Sequence, residues 1–277
     1  MKLLAIYTGL ILAVGVPIFF SFYVRPPLNL AADSFFKNVD ETINQGDITF
    51  LSFDFGPGTV AENGPQAQVV LEHLLRKKAK VFILSFYALS QPFLVSISKA
   101  VEEKLQKEGV FVTYGQDYVI IGFKPSPELF LQSVLGAKDL IELMGRDFRG
   151  TPLKDLEIGQ SPFDYTAIKA WFQFSGLADM LQTYIRFLET GKKLKLYHGC
   201  TSITVPESYI YLDSGQISGL LEGLPGSSWY ESLLSKNFPT REPNQRLLLQ
   251  FTSLTFGQLY IIFLIILGNL LSFFGRD

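Results

Sequence analysis

The distribution of apolar and polar positions divides the chain into three stretches. From Leu3 to Tyr23, "LLAIYTGLILAVGVPIFFSFY" runs 21 residues without a charge. At a helical rise of about 1.5 Å per residue, that run covers the roughly 30 Å hydrocarbon core of a bilayer. It exceeds the apolar region of a cleaved signal peptide, and Arg25-Pro26-Pro27 follows in place of a small-x-small cleavage site, so residues 1–24 are expected to form an uncleaved anchor. From Leu247 to Phe274 a second run holds no charged residue, and its centre reads "LYIIFLIILGNLL". This predicts a second anchor over 247–277. Asn269 lies inside it, where a lone amide seeks a partner on another helix. Tyr260 and the neighbouring phenylalanines suit an interfacial position. Two spans place both termini on one side of a membrane and residues 25–246 on the other.

Between the anchors the pattern alternates. Continuous apolar runs at Ile48–Phe53 and Lys80–Phe86, strand material at Val110–Thr113 and Tyr118–Phe123, and further runs at Ile168–Phe174 and Leu194–Tyr197 read as strands buried on both faces. Helical patterns separate them: Pro65–Lys77, Pro92–Lys107, Pro127–Met144 and Leu177–Glu189. Pro65 suits a first helical turn, because its missing N–H would be unpaired there. The expected fold class is α/β, a doubly wound, mostly parallel sheet flanked by N- and C-terminal transmembrane helices. The 19-residue connection "RDFRGTPLKDLEIGQSPFD" is long for a compact domain.

Composition narrows the function classes. The 277 residues are 48% hydrophobic and only 18% charged, with a net charge of −2. That balance offers no basic stripe for nucleic acid. The single cysteine, Cys200, leaves no internal disulfide framework and no cysteine-based zinc site. Near the spans, the domain side carries Arg25, Lys37, Lys236, Arg241 and Arg246, against Lys2 and Arg276 on the terminal side. Counting positive charges leans slightly towards a cytoplasmic domain. The "MK" start is that of a signal anchor that sends the domain outside, so the side stays open.

The candidate chemistry gathers around "DFGPGTVAENG". Gly56, Gly58 and Ala61 match G-x-G-x-x-A in a first βα turn, where a dinucleotide fingerprint belongs. Against that reading, Pro57 removes an N–H, the expected helix start at Pro65 is displaced from the glycines, and the second strand ends in "SFYALS" without an acid for a ribose. A looser rim remains at the carboxyl ends of the strands: Asp54, Gly56, Gly58, Thr59 and Glu62 from the first loop, Ser85 and Tyr87 from the second, and Lys124 after "IIGF". Asp54 and Glu62 could hold a cation or accept from hydroxyls. The alternative is that Asp54 caps a turn and the glycines satisfy backbone angles. No cofactor is implied by these residues.

Elsewhere the signals are weaker. "YHGC" sets His198 beside Cys200, yet residues two apart on a strand stand too far apart for a Cys–His pair, so Cys200 is expected to pack. His73 is expected at the surface of an amphipathic helix. "YIYLDSGQISGLLEGLPGSSWYESLL", near 209–234, places Gly215, Gly219 and Gly223 at i, i+4 and i+8 if helical. Such a stripe admits close backbone approach, either on the domain's own sheet or between subunits beside the membrane.

Four segments, "LSFDFGPGT", "YGQDYVIIGFKP", "RGTPL" and "YLDSGQISGLLEGLPGSSWYE", give the chain a resemblance to an uncharacterised family of prokaryotic membrane proteins with an α/β domain between two anchors. The resemblance covers most of the chain; it implies the architecture and transfers no catalytic residue. The expected function is a membrane-anchored α/β binding or scaffolding module in the cell membrane. Its partners would be the lipid bilayer and further copies or other membrane proteins in an oligomeric complex. The competing expectation is a membrane-bound enzyme or sensor that takes a nucleotide or small metabolite at the first βα loop.

Overall fold

The structure, a computed structural model, describes residues 2–188 and 194–274; the expected helix end at Glu189 and the charge Arg276 lie outside the described residues. The chain forms two compact units, one of Met1–Pro27 with Pro243–Asp277 and one of Leu28–Glu242.

The larger unit begins with α2 (Leu30–Thr42), which follows α1 (Lys2–Phe19) of the other unit. Asn29 caps α2, its side chain accepting from the Ala32 N–H at 2.8 Å. Then come β1 (Ile48–Asp54), α3 (Val60–Arg76), β2 (Lys80–Ser85), α4 (Gln91–Lys107) and β3 (Tyr118–Phe123). They are followed by α5 (Pro127–Gly136), α6 (Leu140–Met144), β4 (Ile168–Ser175), α7 (Ala178–Leu188) and β5 (Lys195–Cys200), and by α8 (Val205–Asp213), β6 (Gly219–Glu222) and α9 (Gly223–Asn237). The six strands form one sheet in the order β3-β2-β1-β4-β5-β6, and every neighbouring pair is parallel. The chain therefore winds outward from β1 in one direction and from β4 in the other.

Apolar side chains on both faces explain why the strands read as unbroken hydrophobic runs. On one face Phe50 stacks between Phe82 and Trp171, at centroid distances of 5.3 and 4.6 Å. On the other, Phe172 lies 4.7 Å from Tyr197, which meets Phe35 of α2 at 4.9 Å. All six rings are buried, and full burial of such a side chain is worth roughly 1.5–3 kcal/mol. This aromatic double layer fixes the strand register.

Several boundaries differ from the expected ones. Helix α3 starts at Val60, not at Pro65, because the Gly56 carbonyl accepts from the N–H groups of both Thr59 (3.1 Å) and Val60 (3.0 Å). The helix over Pro127–Met144 is broken at residues 137–139, where Asp139 caps α6 by accepting from the Ile141 N–H at 2.8 Å. Val110–Thr113 forms no strand. The stretch 209–234 is not one helix, so Gly215, Gly219 and Gly223 form no helical stripe. Gly215 turns the chain after α8 with φ +77°, and Gly223 joins β6 to α9 with φ +49°. Gly219 opens β6, where a Cβ would stand 3.0 Å from ring atoms of both Phe35 and Tyr197. Helical spacing was mimicked by glycines that each meet a separate backbone demand.

The smaller unit pairs α1 with α10 (Gln245–Phe274). Helix α10 is long and apolar enough to cross a membrane over Gln245–Phe273, whereas the apolar part of α1, Leu3–Phe19, is shorter. The expected first span ran on to Tyr23; helix α1 ends at Phe19, and Ser21 takes a left-handed φ of +51° just beyond it. The two helices run antiparallel. The Tyr260 hydroxyl donates to the Ile6 carbonyl at 3.2 Å, and Phe22 meets Phe256 edge-on at 5.7 Å. At Gly9 a Cβ would stand 2.1 Å from the Tyr260 oxygen, so any larger residue there displaces that side chain.

Candidate functional site

The strand order reverses between β1 and β4, and in open α/β sheets the carboxyl end of that junction is where ligands bind. Asp54 ends β1 there and is 1% exposed. Its Oδ1 accepts from the Phe86 N–H at 2.7 Å and lies 3.4 Å from the Ser85 hydroxyl, while Oδ2 accepts from the Tyr184 hydroxyl at 2.9 Å. Burial pushes this carboxyl up to about 6, against the hydrogen bonds from Phe86 and Tyr184 that favour the ionised form. Asp54 and Ser85, expected at one rim, thus meet directly, but below its surface. The Ser85 hydroxyl also accepts from the Tyr87 N–H at 2.8 Å, which shapes the second loop.

The glycine loop sits above them. The α3 N–H groups of Thr59 and Val60 already serve the Gly56 carbonyl, so two donors that a phosphate would need are engaged. A Cβ at Gly56 would meet the Tyr87 ring at 2.6 Å, whereas Gly58 has open space. Thr59 faces the loop after β4: its Cγ2 would lie 2.6 Å from a Cβ on Gly176. Glu62 turns sideways, and its Oε2 accepts from the Ser202 N–H at 2.9 Å and hydroxyl at 2.5 Å. Its carboxylate pins the β5–α8 loop. Lys124 points to a different element, donating to the Met144 carbonyl at 3.0 Å, and burial lowers its pKa.

Beneath this rim lie polar groups that the sequence reading missed. The Trp171 indole N–H donates to the Ser52 hydroxyl at 2.7 Å. His198 Nδ1 is 2.5 Å from Gln173 Oε1, and the Gln173 amide nitrogen is buried without a hydrogen-bond partner. Burial drops His198 to about 4, so its imidazole is neutral near pH 7. A glutamine inside the apolar run "IKAWFQFS" was the available signal for this cluster. Cys200 is buried as expected, and burial raises its thiol to about 11. That rules out a ready thiolate at neutral pH.

A second polar cluster lies towards the amino edge of the sheet. The Arg241 guanidinium bonds Glu72 of α3 at 2.5 and 2.9 Å and Glu231 of α9 at 2.6 and 2.5 Å. Arg76 joins Glu72 to Glu108, and Lys104 reaches Glu72 at 3.0 Å. Burial alone would raise the Glu72 carboxyl, yet Arg241 with its neighbouring cations holds it down at about 2. His73, expected at the surface, is fully buried here: it stacks on Phe36 at 4.6 Å and its Nδ1 is 2.7 Å from the Tyr230 hydroxyl. Helix α9 packs on the face of α3 that its amphipathic pattern left to solvent, and Phe36 of α2 closes over His73 there.

Among the described residues no group of three or more His, Cys, Asp or Glu is placed to hold a metal ion. Comparison with protein-family models, with curated proteins and with solved structures gives no match to this chain.

Proposed function

We propose that the chain is a membrane-anchored α/β module that binds or scaffolds partners within an oligomeric membrane complex, held by α1 and α10 as two spans. The observation that carries the reading is the antiparallel helix pair, with the Tyr260 hydroxyl seated over Gly9 and bonded to the Ile6 carbonyl. A short α1 of 18 residues gains a partner along its length in this arrangement, and about 17 residues is the lower limit for a span. The resemblance to prokaryotic membrane proteins with an α/β domain between two anchors agrees with it. Asn269, exposed on α10, supports assembly, since an amide in lipid seeks a polar partner. The test is the mass of the protein extracted in mild detergent. Assemblies larger than one chain are expected, and Asn269→Ala should shift them towards the monomer without changing the domain's circular dichroism. A wild-type protein that is monomeric at every concentration would contradict the assembly.

One observation favours a second reading, a small ligand at the first loop: Gly58 has open space around it, in the loop that follows Asp54, a buried carboxyl of raised pKa. A thermal shift with a nucleotide panel, abolished by Gly58→Val, would support it. No shift with any nucleotide would retire that ligand class.

A further inference from the structure

Helix α2 is the only helix or strand between α1 and β1. It packs on β6 and on α9, and His73 of α3 stands where α2 meets α9. The His73 side chain is fully enclosed. It stacks on Phe36 of α2 at 4.6 Å and meets Phe238 edge-on at 6.1 Å. Both ring nitrogens have partners on the neighbouring helices. Nδ1 lies 2.7 Å from the Tyr230 hydroxyl of α9, and Nε2 lies 3.4 Å from Oδ1 of Asp40 on α2. One neutral tautomer satisfies both, with the Nε2 N–H donating to the carboxylate and Nδ1 accepting from the phenol. Among the described residues the Tyr230 hydroxyl has no hydrogen-bond partner but His73.

A second proton on the ring breaks that arrangement. Imidazolium has two N–H donors and no acceptor. The phenol proton of Tyr230 then loses its acceptor while Phe35 and Phe36 wall it in, and a buried donor left unpaired costs its full desolvation. The charges facing the ring do not offset this. Asp40 favours the cation, but across a long contact and from a carboxylate that is half exposed. Glu72 of α3 is already shared by Arg241, Arg76 and Lys104, and Lys77 of α3 opposes a charge on the ring. Tyr230 is what α9 presents, and the segment after α9 presents Phe238 with Arg76 over its ring. Burial wins and holds the imidazole below its unfolded value of about 6.5. With the folded value depressed, the contribution of neutral His73 is complete above 6.5 and is lost as pH falls below it.

We propose that His73 is an acid-sensitive latch: its neutral ring fastens α2 against α9, and its protonation lets α2 open while the sheet stays folded. Opening uncovers Phe35 and Phe36 and turns residues 20–47 into a long tether between α1 and β1. The latch does not depend on the reading of α1 and α10 as anchors.

The test uses the full chain in detergent, with carbon-13-labelled histidine for magnetic resonance and hydrogen exchange read by mass spectrometry. The sequence has two histidines, so His73→Gln leaves one resonance and assigns both. Exchange of the peptide over residues 30–42 is corrected for the intrinsic pH dependence of amide exchange. Its protection should fall below pH 6.5 by up to about tenfold per pH unit, in step with the His73 resonance, while peptides from β1 and β4 stay protected. In His73→Gln, which carries no titratable group there, α2 protection should stay flat. A His73 that titrates without a change in α2 protection would overturn the latch, as would an equal fall in His73→Gln. A ring that stays neutral until the whole domain unfolds would overturn it too. If His73→Gln does not fold, the wild type decides alone, by whether the α2 step and the titration of one histidine coincide.

Discussion

Towards the amino edge of the sheet, Arg241 is enclosed by Glu72 and Glu231 and tied through Glu72 to Arg76 and Lys104. At the carboxyl edge, five loops carry one charge between them and the ionisable group beneath, Asp54, has no cation beside it. Both ends bury carboxyl groups, yet the neighbours decide opposite outcomes. Glu72 is drawn down by guanidinium groups, and Asp54 is pushed up by burial among neutral donors. The first arrangement locks the segment leading to α10 onto the domain. The second leaves a buried carboxyl held by neutral donors alone.

The comparison breaks most sharply at Arg241. Arg241→Met takes the guanidinium from Glu231 and from Glu72, which keeps Arg76 and Lys104, and loss of one partner from a buried ion network costs about 3–5 kcal/mol. Urea unfolding of the detergent-solubilised protein should record that loss. Adding Glu72→Gln and Glu231→Gln to the same chain should recover part of it. Equal stability of Arg241→Met and wild type would show that the network does not hold the segment.

Acid titration gives the next largest effect, with opposite sign at the two ends. Asp54 has a raised pKa, so its contribution is fully present below the unfolded value near 3.8 and is lost as pH rises through about 6, a change of about 3 kcal/mol. Asp54→Asn should remove that fall, so the variant gains on wild type between pH 4 and 7. Glu72 has a lowered pKa, so its contribution is present above the unfolded value and is lost as pH falls towards 2. Urea midpoints across pH would read both. A wild type and an Asp54→Asn protein with parallel profiles would contradict the assignment.

The smallest effect belongs to the exposed contact at the rim. Ser202→Ala removes one of the two hydrogen bonds to Glu62, and the cost should stay below about 1 kcal/mol because the backbone N–H bond remains and solvent competes. A larger loss in the same unfolding assay would mean that the β5–α8 loop depends on that hydroxyl.

Most of the sheet was readable because β1, β2, β4 and β5 are buried on both faces and appear as unbroken apolar runs. Strand β6 was not: it is four residues long, begins at Gly219, and is framed by glycines whose spacing imitates a helix. At the rim, Asp54 and Ser85 could be placed together because both end strands of a parallel sheet. Tyr184 could not, since it reaches Asp54 from α7, 130 positions further along the chain. Arg241 was hidden for another reason. "PTREP" reads as a solvated linker, and only the folding of α3 against α9 turns its guanidinium into a buried partner of Glu72.

The most direct test of the anchor account is the side of the membrane on which each end of the chain lies. Cysteines placed singly at Leu3→Cys, Asp277→Cys and Lys107→Cys can be labelled with an impermeant maleimide in sealed membranes, then again after permeabilisation. Cys200 is buried and leaves the background low. The account predicts that positions 3 and 277 label together and position 107 labels from the opposite side. Labelling of 3 together with 107, and opposite to 277, would leave α10 as the sole span and contradict the two-helix anchor.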